Sequence, residues 1–269
     1  MTDERIQRKR FAFLGAGIIA GVFIERMLNA RVTTPENILA TDPREERLKE
    51  LGDRFGIRTS PDNRTGADFG DLLFLAMPSG VVKAVLSESC QAVHENQIIV
   101  SLAAAVPTWL IESVLCKPVP VVRVIPNTPS LIGEGMNPYC LGKYVPEAAL
   151  PVIEGFLDVF GKSLRVEERL MNAGTALTAV GPTYVFPVIK ALTDAAAAKG
   201  LSQQEALQVT AQTVLGAAKL VLETGKDPNE LKLMIGTRTI DEEGAAALFR
   251  TSFDTAFAKV SAAEKKLTE

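Results

Sequence analysis

The segment RFAFLGAGIIAGVF, near the start of the chain, constrains the fold more than any other. Its apolar run breaks at two glycines and resumes at once as a second apolar run. The pattern G-x-G-x-x-G/A is matched there by Gly15, Ala16, Gly17, Ile18, Ile19 and Ala20. In a strand, turn and helix of this kind the first glycine permits the tight bend, the second lets a pyrophosphate approach the backbone, and the small sixth residue allows close packing. We therefore predict a dinucleotide-binding turn; the alternative is a tight turn that holds no ligand.

Short β-rich runs alternate with helical stretches up to about residue 165. The predicted strands are FAFLG, NILATD, DLLFLAM, QIIVSLAA and VVRVIPNT. Because these runs are apolar on both faces, they indicate a parallel sheet that helices cover. The charged stretch PREERLKELGDRFG has helical periodicity and is expected to end at Gly56. Residues 1–165 are therefore predicted to form an α/β domain with a Rossmann-type parallel sheet.

The composition changes after about residue 165 to alanine-rich helical runs with almost no strand signal. Ser202 and Glu205 have the spacing of a capping box and Gly225 ends the same run, which indicates one long helix. Asp227 followed by Pro228 is typical of the start of another helix. Residues 166–269 are therefore predicted to form an all-helical domain, which we expect to be the dimerisation and substrate domain.

The run PTYVFPVIKALTDAAAAKG is apolar around most of its circumference, which a helix exposed on one side does not tolerate. Such a helix needs a partner, either across a dimer interface or within a monomeric bundle. Roughly 100 residues of helices make a thin core by themselves, which favours the dimer.

The charge of the chain excludes some classes of partner. With 29 basic and 32 acidic residues and a formal net charge of −3, the chain has no general attraction for nucleic acid or anionic lipid. The opening MTDERIQRKR is charged and the apolar run after it is interrupted by glycines, so neither a signal peptide nor a membrane span is expected. Small molecules and copies of the same chain are the expected partners.

Cysteine and histidine content limits the chemistry. Cys90, Cys116 and Cys140 are irregularly spaced and odd in number, which argues against a zinc site and a disulfide framework and favours a reducing cytoplasm. His94 is the single histidine and is expected at the surface. Histidine-based triads and multi-histidine metal sites need partners that this chain does not supply, so no metal is predicted.

The residues after the second predicted strand bear on the cofactor. Asp42 ends this strand roughly 25 residues after Gly17, where an acid usually accepts hydrogen bonds from an adenosine ribose, which favours NAD. Arg44 and Arg47 follow, and guanidinium groups suit the 2′-phosphate of NADP. The choice between NAD and NADP stays open, and Asp42 has the alternative role of a helix cap.

Three further segments, RVIPNTPSLIGEGM, GPTYVF and QTVLGAAKLVLETG, occur in this order along the chain. Together with the glycine turn they resemble pyrroline-5-carboxylate reductases, the last enzymes of proline synthesis. The resemblance implies an N-terminal Rossmann domain, a C-terminal helical domain that interlocks two subunits, and hydride transfer from NAD(P)H to a cyclic imine. Larger rings of dimers also occur in that family.

The resemblance also implies roles for individual residues. Met77 and Pro78 would lie beside the cofactor, and Asn127 of the PNTP loop would approach its nicotinamide end and act in catalysis. Thr239 would contact the region of the ring nitrogen as a second catalytic residue. The remaining substrate-binding positions are Val180, Gly236, Thr237 and Arg238.

The departures from the family pattern lie at positions that the resemblance implies for the active site. Met77 stands where the family usually has a lysine, and Val180 where it usually has a serine. The family loop Ser-Pro-Gly-Gly-Thr-Thr-Ile, which holds the substrate carboxylate, is represented by the shorter GTRTID. Arg238 has no counterpart in that loop; it either supplies a carboxylate clamp in place of the lost amides or faces solvent.

Reduction of a preformed iminium needs no protein nucleophile, metal or strong base, because the cofactor supplies the hydride and the protein supplies geometry and electrostatics. A chain with a single histidine is therefore adequate for it. Three functions follow from the sequence: reduction of 1-pyrroline-5-carboxylate or a close analogue, reduction of a different imine or keto acid by a paralogue, and dinucleotide binding by a dimer without catalysis.

Overall fold

The computed structural model describes residues 4–269, and eight strands within that range form one sheet. Their order across the sheet is β3-β2-β1-β4-β5-β6-β7-β8. β7 is antiparallel to β6, and all other neighbours are parallel. The strands are β1 (Phe11–Leu14), β2 (Ile38–Thr41), β3 (Arg58–Ser60), β4 (Leu72–Leu75), β5 (Ile98–Ser101), β6 (Val121–Val124), β7 (Gly135–Leu141) and β8 (Gly161–Arg165).

Helices connect the parallel strands and then take over the chain. One helix follows each of β1 to β5, as a doubly wound sheet requires, and from α8 onward the described residues form helices and loops only. The predicted fold class, a Rossmann-type sheet with a helical C-terminal part, is confirmed. The helices are α1 (Glu4–Gln7), α2 (Ile18–Asn29), α3 (Glu45–Phe55), α4 (Asn63–Phe69), α5 (Val82–Ser89), α6 (Thr108–Val114), α7 (Leu150–Leu157), α8 (Met171–Thr178), α9 (Pro182–Ala197), α10 (Gln203–Thr224), α11 (Pro228–Lys232) and α12 (Glu242–Thr268).

All five strands predicted from apolar runs are present, and three strands were not predicted. β3 has the sequence RTS, β7 GMNPYCL and β8 GKSLR, and none of them is an apolar run. Glycine, proline and asparagine are disfavoured in strands, so β7 owes its conformation to pairing with β6 and β8 rather than to local preference.

Alternation along β1 divides the hydrophobic core between the two faces of the sheet. Phe11 and Phe13 contribute to one buried cluster, and Ala12 and Leu14 to the other. The first cluster is rich in aromatic rings, and the rings of Phe13 and Phe74 stack with their centroids 4.6 Å apart. Both faces are covered, which explains why the parallel strands are apolar throughout.

The predicted helix ends are confirmed. α3 ends at Gly56, which has a left-handed φ of +68°, and α10 ends at Gly225 with a φ of +63°. At the start of α10 the N–H of Glu205 donates to the Ser202 hydroxyl at 3.2 Å, and the N–H of Ser202 donates to the Glu205 carboxylate at 2.9 Å. Asp227 caps α11, which is only five residues long.

Contacts divide the chain into two compact units. The first comprises residues up to Ala179 together with Ala256–Glu269, and the second comprises Val180–Thr255. The contact division places α8 in the first unit, where Met171 is fully buried in a cluster with Ile125 and Cys140. The domain boundary at residue 165 stays a prediction.

An ion cluster around a buried arginine lies in the first unit. Arg123 of β6 is fully buried, and its Nη1 lies 2.6 Å from Oε1 of Glu168 and 3.5 Å from Oε2 of Glu264 in α12. Glu168 also accepts a hydrogen bond from the N–H of Thr108, at 2.9 Å. The C-terminal part of α12 is therefore tied to the sheet by charge, and Leu267 adds an apolar contact to the core.

Cys90 and Cys116 are joined by a disulfide, with their Cα atoms 5.7 Å apart. Cys90 follows α5 and Cys116 follows α6, and these two helices pack against each other. The expectation against a disulfide framework is therefore wrong, because neighbouring crossover helices bring together cysteines that are distant in sequence. Cys140 is a free thiol, and its burial raises its pKa.

The segment Glu168–Ala197 is long and apolar enough to cross a membrane, with a mean hydropathy of 1.2. The core helices of proteins that stay in water satisfy the same length and composition test. On its own this property is a weak indication of a membrane span.

Candidate functional site

The glycine turn connects β1 to α2, and its two glycines lack a side chain for different reasons. Gly15 has a φ of +100°, and a Cβ there would lie 2.7 Å from the carbonyl oxygen of Ala76. The close approach to the end of β4 therefore requires glycine at this position. Gly17 has an extended backbone, and a Cβ there would meet only the Ala76 oxygen, at 3.9 Å. The space in front of Gly17 is therefore open to a ligand.

Helix α2 directs backbone donors toward this open space. Its N-cap, Gly17, supplies no side-chain hydrogen bond, and its first turn contains no acidic residue. The first N–H groups of a helix, here those of Ile18, Ile19 and Ala20, have no acceptor within the helix. With the helix dipole they favour an anion. The fully buried side chain of Ala20 belongs to the core against which α2 packs.

Asp42 follows β2 and accepts hydrogen bonds from four donors. Its Oδ1 accepts from the N–H and the Nε of Arg44, at 3.0 and 2.8 Å. Its Oδ2 accepts from Nη2 of Arg44 at 2.9 Å and from the N–H of Ala16 at 3.0 Å. These bonds, chiefly those from the Arg44 guanidinium, lower the pKa of the Asp42 carboxyl to about 2.

The alternative role of Asp42 as a helix cap is not what the structure shows. The N-cap of α3 is Arg44, and it makes no side-chain capping bond. Asp42 instead ties the end of β2 to the glycine turn through Ala16. Arg47 reinforces the same turn, since its Nε and Nη2 donate to the carbonyl oxygen of Ala16 at 3.2 and 3.1 Å. Of the two arginines, Arg44 has the more exposed side chain.

A cavity of about 600 Å³ opens at the carboxyl end of the sheet. Five predicted cofactor-binding residues line it, so the fold brings together residues far apart in sequence: Gly15, Asp42, Arg44, Met77 and Pro78. Ligands of doubly wound sheets bind at this end of the strands.

Asn63 lines the same cavity and was missed by the sequence reasoning. Asn63 is the first residue of α4, directly after its cap Asp62, and its Oδ1 accepts from the Thr41 hydroxyl at 2.6 Å. This bond orients the Asn63 amide N–H₂ group away from Thr41. The sequence SPDN signals a helix start, but only the parallel pairing of β2 and β3 reveals that this start lies beside β2.

A second cavity, of about 320 Å³, lies at the start of α2 and is lined by Ile18, Ile19 and Asn127. Asn127 follows β6 and is the N-cap of a short 3₁₀ turn, Thr128–Ile132. The turn thus contributes Gly15 to one cavity and Ile18 and Ile19 to the other. This arrangement suits a molecule whose two ends are joined by a pyrophosphate.

The predicted substrate loop lies in the second compact unit. Thr237, Arg238 and Thr239 line a cavity of about 460 Å³ in the segment between α11 and α12. A Cβ on Gly236 would meet no atom within 4 Å, so packing does not require glycine there. Val180 begins the same unit. Asn127 belongs to the other unit, so the pairing of Asn127 with the loop in one active site stays a prediction.

Comparisons with known proteins identify the family. Residues 168–269 match the family described as pyrroline-5-carboxylate reductase dimerisation, and residues 10–105 match the one described as NADP oxidoreductase, coenzyme F420-dependent. The pyrroline-5-carboxylate reductase of Methanosarcina acetivorans is 37% identical over 91% of this chain and 94% of its own length. The chain belongs to the pyrroline-5-carboxylate reductase family. The reductase of Escherichia coli is 30% identical over 97% of this chain and 99% of its own length.

Solved structures of pyrroline-5-carboxylate reductases share the fold over nearly the whole chain. The enzyme from Coxiella burnetii superposes with a TM-score of 0.79 at 29% identity, covering 96% of this chain and 98% of its own. The pyrroline carboxylate reductase of Plasmodium falciparum, solved with NADP bound, gives 0.83 at 22% identity, covering 96% and 99%. The resemblance found in the sequence motifs is therefore confirmed for the family and for the fold.

Proposed function

We infer that this protein reduces 1-pyrroline-5-carboxylate to proline with NAD(P)H. The observation that supports this most directly is the glycine turn. The space in front of Gly17, at the start of α2, is open, and residues of the turn line two cavities. A side chain at Gly17 would fill the space that a pyrophosphate needs, so the residues present fit the cofactor. When bound, NAD(P)H supplies the hydride for the C=N carbon.

The residues of the chain bind and orient the reactants. The N–H groups at the start of α2 hold phosphate charge, and the exposed guanidinium of Arg44 is placed to meet the adenosine end. Ile18 and Ile19 form apolar walls of the cavity beside Asn127, from which water is excluded when a flat ring fills it. No residue needs to act as a nucleophile, because the iminium carbon is already electrophilic.

The substrate contacts that we propose come from the loop between α11 and α12. Arg238 is exposed, lines the loop cavity, and pairs with the carboxylate of the imine substrate. Thr239 donates a hydrogen bond near the imine nitrogen or relays the proton that this nitrogen takes up, while Gly236, Thr237 and Val180 complete the pocket. The shorter loop GTRTID lacks the amides with which the family loop holds the substrate carboxylate, and this leaves the carboxylate to be bound by Arg238.

The proposed assembly is a homodimer formed through the helical region that matches the family's dimerisation model, residues 168–269. Large apolar side chains remain exposed on α9, among them Phe186, Val188 and Leu192. Rings of such dimers are the further form that we propose from the family resemblance. We also place the enzyme in the cytoplasm, without nucleic-acid or membrane partners.

The altered loop favours one further candidate, a paralogous reductase of a different imine or keto acid. GTRTID is shorter than the family loop, and it lines a cavity of about 460 Å³ together with residues of α11. The catalytically inactive dinucleotide-binding dimer is the remaining alternative. Both share the cofactor site with the main proposal; the paralogue differs from it in substrate, and the inactive dimer differs in having no turnover.

Oxidation of NADPH and of NADH, followed by absorbance, tests these candidates. The purified chain is given 1-pyrroline-5-carboxylate, its six-membered imine analogue or a keto acid, with Gly17→Val as the matched control for cofactor-dependent signal. Turnover of the five-membered imine well above the others supports the main proposal. Turnover of another substrate alone supports the paralogue, and cofactor binding without any turnover supports the inactive dimer.

A further inference from the structure

We propose that Ser130 and Asn137 are positioning residues that fix the side-chain amide of Asn127 in one orientation, with its two N–H donors turned toward the cavity at the start of α2. Asn127 then donates to an sp² oxygen of the bound molecule, either the carboxamide oxygen of the cofactor or a carboxylate oxygen of the substrate. This inference rests on the proposed function for the identity of the ligands. Its structural basis is a buried polar network that reaches from the cavity to β8.

The orientation of the Asn127 amide is set by a backbone donor. The N–H of Met136 lies 3.2 Å from Oδ1 of Asn127. A backbone N–H group can only donate, so the atom facing it must be the oxygen and not the nitrogen of the amide. The N–H₂ group of Asn127 consequently points away from β7, and Asn127 is half-buried at the edge of the cavity.

Two buried side chains, those of Ser130 and Asn137, extend this hydrogen-bond network away from the cavity. Ser130 is fully buried and Asn137 is 1% exposed. The Ser130 hydroxyl lies 2.8 Å from Oδ1 of Asn137 and 3.3 Å from Oδ1 of Asn127, so its single proton lies between two amide oxygens. Nδ2 of Asn137 donates to the carbonyl oxygens of Lys162 and Phe160, at 3.2 and 3.5 Å, which fixes the second amide as well.

Two glycines make room for the network. A Cβ on Gly135 would collide with the Ser130 hydroxyl and would lie 3.0 Å from Oδ1 of Asn127. Gly161 of β8 pairs with Gly135 and has a φ of +127°, and a Cβ there would collide with the Gly135 backbone. The two strands therefore meet without side chains at the point where the polar network crosses.

The cavity at the start of α2 has few polar groups, so the orientation of the Asn127 amide determines which ligand atoms can bind there. Its other walls are largely apolar, with Ile18, Ile19, Phe23 and Leu131 among them. In a mainly apolar cavity a few placed polar groups determine how the ligand lies. An amide whose oxygen is already occupied offers donors only, so it selects an oxygen acceptor and rejects a donor. An amide free to rotate would select neither.

A double-mutant cycle on the full chain tests the positioning role. The variants are Asn127→Asp, Asn127→Ala, Ser130→Ala and the double alanine variant, and the readouts are NADPH dissociation constants by calorimetry and KM and kcat with the imine. Ser89→Ala is the matched control, since Ser89 is also fully buried and its hydroxyl donates to the carbonyl oxygen of Val85 in α5. Thermal unfolding of each variant separates loss of folding from loss of binding.

We expect Asn127→Asp to weaken one ligand at least tenfold, because it replaces donors by an acceptor of nearly the same shape. A raised NADPH dissociation constant identifies the carboxamide as the partner, and a raised KM with unchanged NADPH affinity identifies the substrate carboxylate. Ser130→Ala should weaken the same ligand three- to tenfold in the wild-type background and have no effect on it in the Asn127→Ala background. Ser89→Ala should change neither constant.

Equal effects of Ser130→Ala in the two backgrounds would overturn the positioning role, because they would show that Ser130 acts independently of Asn127. Both constants remaining within twofold of wild type in Asn127→Asp would overturn the donor role. If the wild type turns over no imine, the proposed function fails, and the NADPH constants alone then decide: a coupled loss supports the network and no loss overturns it.

Discussion

Asp42 and Arg44 form a bidentate ion pair at the carboxyl end of β2, in which each carboxylate oxygen accepts from one guanidinium nitrogen, at 2.8 and 2.9 Å. Two backbone N–H groups fill the remaining acceptor positions of the same carboxylate. A ribose hydroxyl that donates to Asp42 must therefore displace one of these four donors. The side chain of Arg44 is the easiest to displace, because it is exposed. This competition links the choice of cofactor to a single ion pair.

Replacing the carboxylate is expected to favour NADPH. Asp42→Ala removes a negative charge near the 2′-phosphate and frees Arg44 to bind it, so the ratio of kcat/KM for NADPH to that for NADH should rise. Charges about 4 Å apart interact by ~1 to 4 kcal/mol at dielectric constants between water and a protein surface. Steady-state kinetics with both cofactors measure the ratio. Asp53→Ala, at an exposed position of α3, is the control, and an unchanged ratio in Asp42→Ala would show that Asp42 serves only to hold the turn.

The pKa of Asp42 predicts a specific pH dependence of stability. Its folded pKa of about 2 lies below the usual value of 3.8, so the Asp42 carboxylate stabilises the fold above the unfolded pKa and loses this contribution as the pH falls toward 2. Arg44→Met removes the main cause of the shift. The difference in free energy of unfolding between wild type and Arg44→Met should be constant above about pH 5 and shrink between pH 4 and 2. Urea unfolding at a series of pH values measures it, and a difference that grows with acid would contradict the assignment.

The two glycines of the turn should respond differently to a side chain. Gly17→Val should abolish dinucleotide binding with little change in melting temperature, because the new side chain enters open space. Gly15→Ala should destabilise the fold by about 1 to 3 kcal/mol, because alanine at a φ of +100° is strained and contacts the Ala76 carbonyl. Calorimetric titration and thermal unfolding of both variants make the comparison. Full cofactor affinity in Gly17→Val would exclude the phosphate assignment.

The substrate loop is tested by two substitutions with different kinetic signatures. Thr239→Val removes a hydroxyl at nearly constant volume, and kcat should fall roughly ten- to a hundredfold, equivalent to about 1.4 to 2.7 kcal/mol of transition-state stabilisation. Arg238→Met should raise KM instead, because a charge clamp binds ground and transition states about equally. Neither should alter cofactor affinity. Wild-type kinetics in both variants would show that the loop does not contact the substrate.

The apolar face of α9 is tested by the oligomeric state. Leu192 is 52% exposed within one chain, and Leu192→Glu would bury a carboxylate in the proposed interface, at a cost of several kcal/mol for an unpaired charge. Light scattering at micromolar concentration should report a dimer for the wild type and a monomer for this variant. Lys199→Glu, just after α9, is the control and should remain a dimer. A wild-type monomer would contradict the proposed assembly.

Local sequence predicts those parts of the fold in which the residues of one segment determine its backbone conformation. The alternation of Phe11 and Phe13 with Ala12 and Leu14 marks a strand buried on both faces. Gly56 and Gly225 supply the left-handed conformation that ends a helix. β7 was not predicted, because its glycine, asparagine and proline are tolerated only through its neighbours and through the network that Asn137 makes across them.

The candidate site also combines residues that the sequence predicts with residues that only the fold brings together. The turn from Gly15 to Ala20 is contiguous and was predicted from its spacing. Asn63 and Ser130 reach the two cavities through the topology of the sheet, and the segments that contain them, SPDN and RVIPNTPSLIGEGM, do not by themselves reveal this. The Cys90–Cys116 bond was likewise hidden, because it depends on two neighbouring crossover helices and not on the interval between the cysteines.

The ion cluster around Arg123 has a consequence for the growing polypeptide on the ribosome. Glu264 provides part of the charge compensation for Arg123 and Leu267 part of the core, yet both are synthesised after the whole of Val180–Thr255. Domains generally fold as units in the order of synthesis, but the cofactor-binding unit of this chain lacks one carboxylate and one apolar contact until residues near 264 have emerged. Its last assembly step therefore comes only after residues 264–267 have left the ribosome, and nascent chains stalled before that point should form the sheet without the Glu264 partner of Arg123.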